Sequence, residues 1–396
     1  MKILGLVSVN ILAGENHSAG AKRIINFYQQ LSRWHSIDIL NVVPVRCNKD
    51  TLYINNNLTI HKISLPYTTV CYYLNRFRIM PEVFVATFHE LFSFFCSCYF
   101  KKNYDIYQID SFSLYGLVRK RLAGKKLIYA SHNVELDWHT SIIQSCLFSA
   151  PALRYLEKLE GELCRRASLV TTISRQDKKR FSQLYNIDSS KMLNIPMGYN
   201  PSQEIDLIKF PKEIKEKYNI PTSGKIVLFC GSDFYANQEA LRFITEDIIS
   251  LLDDDIIIIL VGTIGRHFKK IYPQGVRNIL ALGFVENMRE IYSVSDLAIN
   301  PVMSGSGANV KIIDYLAAGL EVISTPFGMR GYDDMTDQVH TCSVKAMAKE
   351  INHFFKQPGQ KKNTGKIAQY QWPLIAARAI GKYEEICNKP NCSGNK

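Results

Sequence analysis

Residues 300–319 read NPVMSGSGANVKIIDYLAAG. An apolar run ends in two serines and two glycines, and apolar residues at helical spacing follow at once. Gly305 and Gly307 carry no side chain, so backbone N–H groups there can approach an anion closely. A helix starting near Ala308 adds further N–H groups and the positive end of its dipole. Lys311 falls in the first turn, where its charge opposes that dipole, a placement that calls for a negative partner. Asp314 follows at i+3 on the same side. A phosphate held by Gly305, Ser306, Gly307, Ala308 and Lys311, with a sugar hydroxyl on Asp314, would use all these residues. A tight turn with a surface Lys–Asp pair would use them equally well, and the residues alone do not choose.

Other residues of the same chemical kind are scattered along the chain. His132 follows the apolar run KKLIYA (125–130) and could donate a hydrogen bond to a hydroxyl or phosphate, or be a satisfied loop histidine. Glu135 could orient His132 or cap the segment after it. Gly20 opens a helical pattern after the loop 10–20. Arg23, one turn on, is expected to face solvent rather than phosphate. Ser174 and Asp177 have capping-box spacing and read as structural.

These residues need strands and helices to hold them. Strand-like runs at 2–9, 36–44, 104–110, 125–130 and 167–174 alternate with helical patterns at 21–34, 114–123 and 152–166. That is βαβ logic, which implies a parallel sheet covered by helices. The segment 200–222 is polar, charged and holds three prolines, so it reads as a domain boundary. Alternation then restarts, with strands at 224–231, 255–262, 276–285, 296–303 and 321–326. The expected organisation is α/β, with two doubly wound halves and ligands at the carboxyl ends of their strands.

Composition narrows the class. The chain has 396 residues, enough for two domains. Lys plus Arg is 48 against 36 for Asp plus Glu, a net charge of +12 that favours anionic partners. No nucleic-acid motif accompanies that charge, so nucleic acid is not expected. The ten cysteines show no CxxC pair and no zinc spacing, and read as reduced residues of a cytoplasmic protein. No signal-peptide layout and no uncharged run of membrane-spanning length is present.

The stretch SGSGANVKIIDYLAAGLEVISTPFGMRG (304–331) resembles a signature of GT-B nucleotide-sugar glycosyltransferases, specifically glycosyltransferase family 4. Five further stretches resemble family segments in the right order. They are SHNVE (131–135), LEGELCRRASLVTTISRQD (159–177), IPMGYN (195–200), GSDFYANQEALRF (231–243) and YQWPLIAARAIGKYEEI (370–386). The resemblance spans roughly 20–386 and is weakest over 44–104. It implies a GT-B fold, two Rossmann-like doubly wound domains facing across a cleft that closes about 200–222. An acceptor-side domain would take residues 1–203 plus a returning helix, 371–387. A donor-side domain would take 204–370, leaving a tail at 388–396.

The resemblance further implies transfer from a nucleotide-diphosphate sugar with retention at the anomeric carbon, without cofactor or metal. The catalytic positions would be His132 and Lys311. Donor and phosphate contacts would fall on Gly20, Gly231, Asn237, Gly305, Ser306, Gly307 and Ala308, and Asp314 would bind ribose. Ser306 and Asp314 stand where the family commonly has two glutamates. Ser232 and Asn237 stand where many members have Arg and Lys, which leaves Lys311 to carry the phosphate charge. The aromatic stretch 66–102, flanked by Arg76, Arg78, Lys101 and Lys102, reads as helices packed on the sheet, with part of it facing an anionic membrane. The expected task is adding sugar to a growing, lipid-linked cell-surface glycan at the cytoplasmic face. A nucleotide-sugar epimerase and a non-catalytic sugar-nucleotide binder are the rival readings.

Overall fold

The computed structural model describes residues 1–9, 11, 19–44, 50–100, 102–122, 124–142, 148–200, 211–305, 307–357 and 364–388. The backbone separates into two units, Met1–Pro196 with Trp372–Lys396, and Met197–Gln371. The division thus falls at 196/197 rather than at the expected 203/204; residues 201–210 lie outside those described.

The first unit is built on eight strands: β1 Lys2–Val7, β2 Ser36–Val43, β3 Asp50–Asn55, β4 Leu58–Ser64, β5 Ile106–Ile109, β6 Leu127–Ala130, β7 Leu169–Thr172 and β8 Met192–Asn194. Their order is β3-β4-β2-β1-β5-β6-β7-β8. Every pairing is parallel except β3 with β4. The sequence pattern missed this hairpin, because β3 is exposed at all six positions and shows no buried alternation. β5, β6 and β7 are buried at every position, as expected of strands covered on both faces. The helix Trp372–Asn388 belongs to this unit and packs on the helix Ala19–Leu31. Its Tyr383 hydroxyl donates to Gln108 Oε1 at 2.7 Å.

The second unit holds six parallel strands: β9 Lys225–Cys230, β10 Ile256–Val261, β11 Ile279–Gly283, β12 Leu297–Asn300, β13 Glu321–Ser324 and β14 His340–Thr341. Their order is β11-β10-β9-β12-β13-β14. Ile256, Ile258 and Leu260 are fully buried, each contributing roughly 1.5–3 kcal/mol.

Both sheets reverse direction once. In the first, the chain runs outward from β1, then returns to place β5 on the other side of β1. In the second, it runs outward from β9 and returns to place β12 beside β9. Such switch points open a crevice beyond the strand ends, where ligands of doubly wound sheets bind. Asp110 directly follows β5, and Gly231 directly follows β9.

Candidate active site

In the second unit the glycine–serine loop follows β12 and is tied down from several directions. Asn300, buried at the end of β12, donates to Gly328 O at 3.0 Å, and Thr325 N donates to Asn300 O at 3.1 Å. Ser304 Oγ donates to Glu239 Oε2 at 2.6 Å, anchoring the loop to the helix Tyr235–Phe243. Arg330 Nη1 donates to Gly305 O at 3.1 Å, and Asn309 N donates to Arg330 O at 3.1 Å. Gly305 has φ +114° and Gly307 φ +71°, backbone that side-chain-bearing residues rarely adopt. Among the described residues, no acceptor receives the amide of Gly307 or of Ala308. Ser306 lies outside the described residues.

The helix starts at Lys311, not Ala308, and runs only to Ala317. The positive φ of Gly307 and the Asn309 bond to Arg330 keep residues 307–310 out of the helix. Tyr315 fixes this helix against β9, since Cys230 N donates to its hydroxyl at 2.8 Å. Lys311 therefore points toward the end of β9. Its ammonium donates to Asn237 Oδ1 at 2.9 Å and lies 4.4 Å from the centre of the Phe229 ring. Desolvation pulls its pKa from 10.5 down to about 8. Among the described residues no carboxylate lies at ion-pair distance from it, so the surface Lys–Asp pair does not form. Asp314 is half-buried one turn on, close enough to Tyr292 and Cys230 to raise their pKa values.

Asn237 takes a role the sequence did not show. Its Nδ2 donates to Ser232 O at 3.0 Å, which turns Oδ1 toward Lys311. A Cβ on Gly231 would come within 3.0 Å of the Asn237 amide carbon, so the glycine leaves room for this bridge. Asn237 thus holds Lys311 rather than supplying charge of its own.

The first unit carries a second polar cluster, at the ends of β5, β6 and β8. Arg23 is 5% exposed, contrary to the expectation of a solvent-facing side chain. Its guanidinium donates to Ile195 O at 3.0 Å and reaches His132 Nδ1 at 3.3 Å. Because arginine only donates, His132 Nδ1 must accept, which puts the proton of the neutral ring on Nε2. Desolvation, with the Arg23 charge beside it, holds the His132 pKa well below its ordinary value, so the ring is neutral. Its Nε2 is buried, has no hydrogen-bond partner among the described residues, and lies 4.0 Å from Asp110 Oδ1.

Asp110 was missed in the sequence, where it was only the last residue of a strand-like run. Its carboxylate accepts from the Tyr28 hydroxyl at 2.6 Å and from Gln108 Nε2 at 3.2 Å. Burial pushes its pKa up to about 6. An acid closing the strand-like run YQID (107–110) was the signal available.

Three other expectations resolve plainly. Gly20 lies in the first turn of the helix Ala19–Leu31; residues 12–18 lie outside those described. Glu135 does not reach His132; its carboxylate is 3.8 Å from His139 Nε2. The cap of its helix comes instead from Glu160, which accepts from Glu135 N at 3.0 Å and Leu136 N at 3.3 Å. Ser174 Oγ accepts from Asp177 N at 2.9 Å, the structural cap its spacing implied.

Comparison with known proteins bears on the fold and on the second unit. The family model described as glycosyl transferases group 1 matches residues 224–357. No curated protein matches the chain. Among solved structures, sucrose-phosphate synthase from Thermosynechococcus elongatus is similar with a TM-score of 0.72 at 14% identity, covering 98% of this chain and 99% of that one. The α,α-trehalose 6-phosphate synthase from Burkholderia multivorans has a TM-score of 0.73 at 10% identity, covering 97% and 98%. Anabaena HepE, solved in complex with UDP, has a TM-score of 0.67 at 15% identity, covering 97% and 100%. Likeness at such identities establishes the fold, which is GT-B. The resemblance read in 304–331 is borne out, with the matched family falling on the unit that carries Lys311.

Proposed function

We propose, from the GT-B fold and the group 1 match over the second unit, that this chain is a glycosyltransferase using a nucleotide-diphosphate sugar. The observation that carries the reading is Lys311. An ammonium desolvated at a switch point, with one hydrogen bond to a neutral amide and no carboxylate partner among the described residues, is prepared for an external anion. The HepE structure holds UDP, a nucleoside diphosphate, on the same fold.

In this reading the Gly307 and Ala308 amides and Lys311 receive the diphosphate, and Asp314 binds ribose hydroxyls. The bond between the anomeric carbon and the β-phosphate oxygen breaks, and its electron pair leaves on that oxygen. Lys311 stabilises the charge that grows there. The acceptor oxygen bonds to the anomeric carbon on the face the phosphate leaves, so configuration is retained. The acceptor proton passes to the departing phosphate, and no protein nucleophile or metal takes part. His132, held as its Nε2–H tautomer, donates to a substrate oxygen and does not act as a base. The acceptor is a growing cell-surface glycan on a lipid carrier at the cytoplasmic face. Among the described residues no helix is long and apolar enough to cross a membrane, so contact with that face would be peripheral.

The test is a panel of nucleotide sugars, scored first by thermal shift and then by release of nucleoside diphosphate with and without glycolipid acceptor. Acceptor-dependent release is expected. Epimerisation of donor without acceptor, or binding with no turnover under any acceptor, would overturn the assignment.

A further inference from the structure

The helix Pro66–Arg76 has two apolar faces, and only one is covered. Tyr67, Thr68 and Cys71 are buried against the first unit. Val70, Tyr73 and Phe77 are 58%, 49% and 69% exposed. At 3.6 residues per turn these three fall within about 60° of arc, rotated roughly 140° from the buried face. Ile79 continues the apolar surface just past the helix end and is 53% exposed. A lone exposed apolar residue needs no explanation, but a stripe of large ones at helical spacing marks an interaction surface.

Charge identifies the occupant. Arg76 and Arg78 lie at the same end of the helix as Phe77 and Ile79, both exposed. No acidic residue occurs between Pro66 and Pro81. Several rings of this aromatic segment are committed to the core: Tyr67 stacks on Phe92 with ring centroids 4.9 Å apart, and Phe84 stacks on Tyr155 at 6.0 Å, while Leu91 and Phe94 are exposed outside this helix. The stripe is therefore what remains after the helix has been docked. Aromatic and aliphatic side chains beside arginines, without acids, match an anionic bilayer surface, where rings enter the headgroup layer and guanidinium groups meet phosphates.

We propose that Val70, Tyr73, Phe77 and Ile79, with Arg76 and Arg78, seat the first unit on an anionic lipid surface. This deepens the reading of a lipid-carried acceptor and rests on it for its purpose, while the binding itself is measurable without turnover. The experiment is co-sedimentation of the full chain with vesicles of phosphatidylcholine alone or with about 30% phosphatidylglycerol, at low salt and at about 0.5 M salt. Binding to the anionic vesicles, weakened by salt, is expected. Val70→Ser with Phe77→Ser should lower partitioning tenfold or more, by roughly the worth of two apolar side chains. Arg76→Gln with Arg78→Gln should lower it about thirtyfold at low salt, at about 1 kcal/mol per charge. All four sites are exposed, so unchanged thermal unfolding shows that the variants fold. Donor binding by these variants should equal wild type, which separates this proposal from the catalytic one. Absence of binding to anionic vesicles, or equal binding by the variants, would overturn it. So would a dimer in light scattering that the serine variant turns into a monomer, because the stripe would then belong to a second copy.

Discussion

Replacing Lys311 by Met should cripple turnover without costing stability, and the structure supplies both magnitudes. Moving a lysine pKa from 10.5 to about 8 means the folded protein disfavours the charged side chain by roughly 3 kcal/mol. Some solvent reaches the residue, so about 1–3 kcal/mol is the working range. Methionine keeps the apolar stem against Phe229 and removes that penalty. It also gives up the ring-face contact and the Asn237 hydrogen bond, about 1 kcal/mol each. At pH 7 the variant should therefore lie within about 1–2 kcal/mol of wild type. The pH dependence separates the two proteins. The folded pKa is below the unfolded one, so the penalty is complete below about pH 8, shrinks as the folded protein loses its proton, and vanishes near pH 10.5. Wild type should gain about 1–3 kcal/mol on the variant across that window. Turnover should fall 10²–10³-fold, roughly the worth of one charge on a developing oxyanion. Urea unfolding at several pH values and initial rates of nucleoside diphosphate release measure both. Wild-type turnover in the variant, or a loss of several kcal/mol with no relative gain at high pH, would refute the reasoning.

Further outcomes follow from the same geometry. His132→Gln keeps an N–H donor and should retain more activity than His132→Ala, which loses about 10²-fold; the wild-type rate profile should show no imidazole inflection between about pH 5.5 and 8, since the ring is already neutral. Asp110 is raised to about 6 from 3.8, so the folded state binds its proton more tightly and wild type should lose up to about 3 kcal/mol relative to Asp110→Asn as pH rises through that interval; parallel unfolding curves would contradict this. Gly331 has φ +96°, and a Cβ there would sit 2.4 Å from the Ala308 Cβ, so Gly331→Ala should cost about 1–3 kcal/mol and raise the donor KM, with Ala308→Gly partly restoring both.

The sequence by itself determined the layers and most of the strands that build them. Runs such as IIIILV in β10 and LAIN in β12 are continuous and apolar because parallel strands are covered on both faces, and short polar stretches separate them. The same local logic located the loop at 304–311, since glycines and a first-turn lysine are unusual wherever they stand. β3 escaped because an exposed edge strand has no burial to write into its pattern, its neighbour β4 went unread with it, and β8 and β14 are only three and two residues long.

What only the tertiary structure decided is which side chains meet. Lys311 and Asn237 are 74 positions apart and Arg23 and His132 are 109 apart, so no local pattern could pair them. Asn237 looked like a lost cation and is the bracket for a kept one. Arg23 looked solvent-facing and sets the tautomer of His132. Asp110 looked like a strand end and lies at the switch point, buried against Tyr28. Periodicity reports how much of a residue is buried. Protonation depends on desolvation and on the partner a few ångströms away, and those are properties of the folded chain.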